Sequence, residues 1–365
     1  MSINTHIRDA ASVRLYEAET SVQKLALKYG LPLADMIDFS LNVNPLGAPA
    51  SAVVAAARAM EHANLYPDLE FRLLRDKLAE KHGISPEQLF FGSGLDDVIK
   101  LLLHALVSDG DAVMVHLPTF PRYALEAKLR RCEVIGVRNP NGFEIDLEGM
   151  RKVLETRPVA MAFICTPNNP TGEQVDNSRI AEIASAFPQT LFIVDEALIN
   201  PKKEGAVALV TQYDNTIVLR TFSKFYGLAG VRAGYAICPV PLAQMADIGR
   251  PPFNLSTSAI HAAAAALDDM EFIERCATSF AEEVNYFRSK LKTSEKVEIS
   301  GHHGNMVLLS LNQMPASAAA EKLAASGIVV ADATSFEGLE NTATIRVSLR
   351  RRADNERLVE ALLKL

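Results

Sequence analysis

The sequence predicts an α/β protein: a mostly parallel sheet covered by helices on both faces, followed by a smaller α+β unit. Three observations carry this expectation. Short runs rich in β-branched residues alternate with longer segments of helical period, the pattern of strand–helix–strand crossovers. Most of the short runs are apolar nearly throughout, as strands are when neither sheet face meets water. After about residue 268 the texture changes, and short strand candidates follow one long polar-faced helix. With 365 residues the chain is also longer than one hydrophobic core usually serves, so two domains are expected.

Along the chain, residues 50–61, 70–82 and 95–107 repeat apolar positions at helical spacing. Strands are expected at 112–116 and 159–165. A helix at 178–187 leads to three further strands, 191–194, 216–219 and 233–238, and a helix at 256–267 closes this part. Beyond it, 271–291 reads as the long helix, 306–311, 327–330 and 344–348 as short strands, and 353–363 as the last helix. Ligands of open parallel sheets sit beyond the carboxyl ends of the strands. The polar motifs of this chain fall there.

The bulk composition narrows the function classes. A content of 48% hydrophobic and 22% charged residues is that of an ordinary globular protein, which excludes disorder and coiled coil. The formal net charge of −7 argues against a nucleic-acid or anionic-membrane partner, because either needs a basic footprint. A small anion remains compatible, since a few local arginines suffice to hold one. Cys132, Cys165, Cys238 and Cys276 are far apart and include no Cys-x-x-Cys pair, which fits a reducing compartment without disulfides. The first ten residues are polar and no apolar run reaches membrane-spanning length, so a cytoplasmic protein is expected.

Four segments carry the chemistry. Leu191-Phe-Ile-Val-Asp195 ends an apolar strand on a carboxylate, which needs a partner because an unpaired buried charge is very costly. Taken alone, a helix cap or an ion pair would explain it. Cys165-Thr-Pro-Asn-Asn-Pro-Thr-Gly172 forms a rigid, hydrogen-bonding turn after another strand. Arg220-Thr-Phe-Ser-Lys224 continues through glycines to Arg232, placing an amine beside hydroxyls and an arginine suited to a phosphate. Phe91-Gly-Ser-Gly-Leu-Asp-Asp97 opens a helix, whose free N–H groups make a second wall for the same anion. Each has an ordinary structural explanation. Together, a lysine, a strand-end carboxylate, an asparagine loop and a phosphate cradle are what pyridoxal phosphate chemistry requires. The lysine binds the cofactor's carbonyl carbon, and the carboxylate keeps the pyridine nitrogen protonated so that the ring can accept electrons.

From about Met36 to the C-terminus these segments resemble the fold-type I pyridoxal-phosphate superfamily, in the branch of histidinol-phosphate aminotransferases and threonine-phosphate decarboxylases. The resemblance implies a large domain over 36–264 with a mostly parallel, mixed sheet, a small domain over 265–365, and an arm over 1–35 joining the small domain. It implies that Lys224 is the Schiff-base lysine, that Asp195 pairs with the pyridinium nitrogen, and that Asn169 holds the phenolic oxygen. Thr221, Ser223, Arg232 and the backbone at Leu95 and Asp96 match the phosphate cradle, and Phe120 the aromatic stacked on the ring. Arg346 matches the arginine that grips the substrate α-carboxylate, with Asn42, Asn169 and Arg350 also assigned to substrate. Tyr66 looks like the tyrosine lent by a neighbouring subunit, which implies a homodimer.

Several features lean toward the decarboxylase. They are Ile37-Asp-Phe-Ser-Leu-Asn-Val-Asn-Pro-Leu-Gly47, Ile345-Arg-Val-Ser-Leu-Arg350, and Leu198 where the aminotransferases generally have a tyrosine. Two features pull the other way. Ala18-Glu-Thr-Ser21 stands where the decarboxylases carry His-Gly-Gly-Asn, and Pro251-Pro-Phe-Asn-Leu-Ser256 looks more like the aminotransferases. The leading expectation is an L-threonine O-phosphate decarboxylase. The alternatives are a histidinol-phosphate-type aminotransferase, a relative with a changed, non-phosphorylated substrate, or a non-catalytic cofactor-binding relative. Lys224, Asp195, Asn169 and Arg232 together favour an enzyme. Tyr123 and Tyr226 read equally as packing or as cofactor contacts. His302 and His303 are placed in a glycine-rich turn with no metal role, and Arg351 and Arg352 on a solvated face.

Overall fold

A computed structural model describes residues 21–140 and 143–365. In chain order its strands are β1 (Ile37–Asp38), β2 (Leu89–Gly92), β3 (Ala112–Leu117), β4 (Glu133–Arg138), β5 (Met161–Cys165), β6 (Leu191–Asp195) and β7 (Thr216–Thr221). These are followed by β8 (Gly234–Ile237), β9 (Val297–His303), β10 (Met306–Leu311), β11 (Ile328–Val329), β12 (Ala331–Asp332) and β13 (Thr344–Ser348). Seven of them form one sheet in the order β2-β8-β7-β6-β5-β3-β4. Only β8 runs against its neighbours; the other pairings are parallel. The expected mixed, mostly parallel sheet is present.

The apolar runs form central strands because their alternate side chains enter two different layers. Met114, Ile164, Val194 and Val218 belong to the core on one face, and Val115, Phe163, Ile193 and Leu219 to the core on the other. Edge strand β4 is partly exposed along most of its length, and β2 has only four residues. Neither is among the strands expected from the sequence.

A second sheet, β12-β13-β10-β9, is antiparallel and covers a third core. Helix Met270–Leu291 links the cores: Phe272, Ile273 and Phe280 pack under the large sheet, and Val284, Phe287 and Leu291 under the small one. β1 pairs in parallel with β11, and Ile37 and Phe39 join the third core although they lie near the other end of the chain. Helix Val22–Tyr29 lies against helix Ala316–Ala325, with Lys28 Nζ 2.7 Å from Glu321. Of the residues 18–21 singled out in the sequence, Ala18, Glu19 and Thr20 lie outside the described residues. The Ser21 Oγ caps helix Val22–Tyr29 by accepting the Lys24 N–H at 3.4 Å.

The structure corrects the placement of the two adjacent histidines. His302 and His303 lie on β9, opposite Val307 and Met306 of β10, and the reversal falls on Gly304 and Asn305. Gly304 takes a left-handed φ of +55°, so that single glycine suffices for the turn. Among the described residues no cluster of His, Cys, Asp or Glu has metal-binding geometry, and none of the helices is long and apolar enough to cross a membrane. All four cysteines are buried free thiols.

Candidate active site

The parallel strands β3, β5, β6 and β7 deliver their carboxyl ends to one edge of the large sheet. A cavity of about 510 Å³ opens there, closed by the first turn of helix Leu95–Leu106, by residues 41–43 and by Arg346 of β13. Lys224, Asp195, Asn169, Thr221, Ser223, Arg232, Leu95, Asp96, Phe120, Asn42 and Arg346 all line it. Tyr66 and Arg350 do not. Tyr66 is 81% exposed and stacks on Phe253, with ring centroids 4.5 Å apart. Arg350 donates from Nη1 to the Asp38 carbonyl at 3.0 Å, and its Nε is 3.6 Å from Asp354.

Asp195 closes β6 and is only 2% exposed. The partner demanded by a buried carboxylate is Tyr123, whose hydroxyl donates to Oδ2 at 2.6 Å, while the Ala197 N–H donates to Oδ1 at 2.8 Å. Tyr123 follows β3, leans across β5 by stacking on Phe163 (4.5 Å, 12°), and so reaches β6. Burial pushes the Asp195 carboxyl up, and the hydrogen bonds from Tyr123 and Ala197 pull it back down. Burial holds the Tyr123 phenol well above its ordinary range, which makes it a permanent donor. Phe120 meets Tyr123 edge-on at 5.6 Å.

Lys224 Nζ donates to the Asn42 carbonyl at 3.0 Å. The same lead-in segment is tied to the lysine loop by Asn44 Nδ2, which donates to the Phe225 carbonyl at 2.9 Å. A side chain at Gly227 would strike the Gly47 carbonyl, so the close approach of the two segments requires a glycine there.

Hydroxyls, an arginine and a helix N-terminus come together on another part of the cavity wall. Ser223 donates its N–H to Thr221 Oγ1 at 3.1 Å. Arg232 adopts a left-handed φ of +59°, and its guanidinium lies over Gly94, where a side chain would collide with it. Helix Leu95–Leu106 has no side-chain cap from Gly94, so its first N–H groups remain for a ligand. The Asp96 carboxylate would repel an anion there, but it sits between two arginines, 3.3 Å from Arg122 Nε and 4.0 Å from Arg232 Nη2.

Arg346 is 1% exposed; Nη1 donates to Asn169 Oδ1 at 3.0 Å and Nη2 to the Ser40 carbonyl at 2.6 Å. Its buried Nε has no partner among the described residues. The neighbouring Asn168 is a structural residue, buried and bonded to Pro118, Thr119 and Thr171. Leu198 lines the cavity wall.

Sequence reasoning missed Arg122 as a cavity residue and the Glu196–Arg220 pair beneath the site. Arg220 Nη2 lies 2.7 Å from Glu196 Oε2, and both side chains are buried. A carboxylate and an arginine at the same level of two apolar strands were the available signal. Their pairing depends on β6 and β7 being neighbours. Tyr123 was left undecided by the sequence, and the structure bonds it to Asp195.

Comparison with known proteins fits this geometry. Residues 34–362 match the model of the family "Aminotransferase class I and II". The chain is similar to a histidinol-phosphate aminotransferase of Sulfurimonas denitrificans, with 30% identity over 373 residues and all of both chains covered. Its fold is that of histidinol-phosphate aminotransferase from Sinorhizobium meliloti, solved with pyridoxal-5′-phosphate (TM-score 0.85, 22% identity, 99% of this chain and 97% of that one). L-threonine-O-3-phosphate decarboxylase from Porphyromonas gingivalis shares the fold at a TM-score of 0.76 and 19% identity, over 90% of this chain and 99% of that one. The chain belongs to the class I and II aminotransferase family and is a pyridoxal-phosphate-dependent enzyme of that family.

Proposed function

We propose that the enzyme is an aminotransferase of the histidinol-phosphate type, acting on a small amine or amino acid with an anionic group beside the reacting carbon. The observation that carries this reading is the full-length similarity to a histidinol-phosphate aminotransferase, which outweighs the sequence features that lean toward decarboxylation. The residues present fit the cofactor. The cup of Thr221, Ser223, Arg232 and the uncapped helix offers hydroxyl, guanidinium and N–H donors to a phosphate dianion. Among the described residues, the buried Asp195 carboxylate has neutral donors at hydrogen-bonding distance, a setting that suits a cationic ring N–H.

Pyridoxal phosphate, when bound, supplies the electron sink for the bond broken at the substrate's reacting carbon. Lys224 would hold it covalently and, with its amine free, would carry the proton taken from that carbon. Arg346 receives the substrate's anion, a carboxylate in an amino-acid donor or a phosphate in histidinol phosphate. Because Arg346 engages Asn169 through Oδ1, the Asn169 amide N–H remains as a donor to the cofactor. Phe120, which lines the cavity, would cover the ring and exclude water. Tyr66 completes the cavity of a second copy. This is supported by its exposure beside Leu65 and Leu69, which are also exposed. The buried free thiols support a cytoplasmic setting.

A second reading, decarboxylation of threonine O-phosphate, is favoured by Leu198. This side chain lines the cavity and offers no hydroxyl where aminotransferases of this branch generally have one. The test compares products from the purified holoenzyme. Glutamate formed from 2-oxoglutarate and histidinol phosphate supports the proposal. Release of CO₂ from threonine O-phosphate, without glutamate formation, replaces it with the second reading.

A further inference from the structure

We infer that Tyr123 is a positioning residue for the cofactor ring, acting through Asp195: its hydroxyl fixes one carboxylate oxygen so that the remaining lone pairs face the ring nitrogen. The inference rests on the reading of Asp195 as the ring's partner. Its own basis is geometric. Among the described residues Asp195 has two donors, the Ala197 backbone and the Tyr123 side chain, the latter at 2.6 Å. Tyr123 is held from three directions: it is fully buried, stacked parallel on Phe163, and met edge-on by Phe120. Its hydroxyl therefore has little freedom to leave Asp195. Because Phe120 lines the cavity and packs on this same ring, Tyr123 joins the wall beside the cofactor to the carboxylate at its edge.

The chemistry of the donor matters. A carboxylate buried without a cation tends to take up a proton, and a protonated Asp195 cannot hold a pyridinium. Tyr123 stabilises the ionised form while adding no charge that would compete with the ring. The other groups facing Asp195 are Lys224, which favours its ionised form, Asp96 and Glu196, which oppose it, and the Cys165 thiol, pushed up to about 12 by burial. Cys165 sits directly across the β5–β6 register from Asp195. None of these replaces the Tyr123 hydroxyl within hydrogen-bonding distance.

Tyr123→Phe removes the hydroxyl and keeps both ring contacts. The measurement is the dissociation constant of pyridoxal phosphate from reconstituted holoenzyme between pH 6 and 9. The parent, Tyr123→Phe, Asp195→Asn and the double variant are compared. A hydrogen bond to a charged group accounts for roughly a tenfold to hundredfold change, so Tyr123→Phe should release the cofactor that much more readily. The deficit should be largest at low pH, because without the donor Asp195 protonates at higher pH. In the Asp195→Asn background the loss of the hydroxyl should have no further effect. An unchanged affinity in Tyr123→Phe, or the same loss in both backgrounds, would overturn the inference by showing that Tyr123 only packs. If Asp195→Asn itself leaves the affinity intact, the reading of Asp195 falls, and the inference with it. The ¹⁵N resonance of labelled cofactor gives an independent readout: Tyr123→Phe should move the ring nitrogen toward its unprotonated position, which a packing defect would not do.

Discussion

On the proposed reading, two parts of the cavity wall hold charged parts of one ligand by opposite means. At Asp195 a single carboxylate is almost wholly buried and oriented by two neutral donors. At Arg232 two hydroxyls, a helix N-terminus and a guanidinium share the load, and the Arg232 side chain is 46% exposed. A buried single contact is strong because the local dielectric is low, and it fails completely when its geometry is lost. A shared, solvated contact is weaker per group but tolerates the loss of any one. On that reading the catalytic demand would lie at the ring nitrogen, and the phosphate would serve chiefly as an anchor.

Replacing Asp195 with Ala should cause the larger effect. The turnover rate should fall roughly 10²–10³-fold, the scale expected when a preorganised electrostatic contact to the reacting system is removed. Steady-state kinetics at saturating cofactor would show it. Arg232→Gln should weaken cofactor binding roughly tenfold while leaving turnover at saturating cofactor close to the parent value. The comparison breaks if the two variants lose turnover equally.

The smallest effect separates the scaffold from the site. Burial holds His82 and His116 neutral down to about 3 and His303 down to about 4. The unfolded chain takes up these protons below about pH 6.5, where the native protein does not. Stability from these groups is therefore present in full above about pH 6.5 and lost as the pH falls toward about 3–4. The melting temperature of the apoprotein should decline between pH 7 and 5. His82→Asn, which removes the ring bonded to the Tyr235 hydroxyl at 2.9 Å, should make that decline shallower.

Much of this architecture is legible in the sequence, for a physical reason. The central strands are buried on both faces and so read as apolar runs. Asp195, Asn169 and Lys224 stand out because polar groups at the ends of such runs need partners. What the sequence leaves open depends on which strands are neighbours. Tyr123 meets Asp195 only because β5 lies between β3 and β6 and offers Phe163 as a platform. Arg122 enters the cavity through its pairing with Asp96, a contact between two helix starts that local spacing does not encode. Leu198 has the converse lesson: the sequence marks it as unusual, and its location in the cavity wall makes the difference chemically relevant.

The pairing of β1 with β11 bears on how the enzyme is made. The segment that carries Asn42, whose carbonyl accepts from the Lys224 amine, is synthesised about 290 residues before the strand that pairs with β1. The large sheet can gather before β11 has been made, but the lysine's surroundings are finished only once β11 is available to pair with β1. Nascent chains of this protein should therefore acquire a protease-resistant body well before they can retain pyridoxal phosphate.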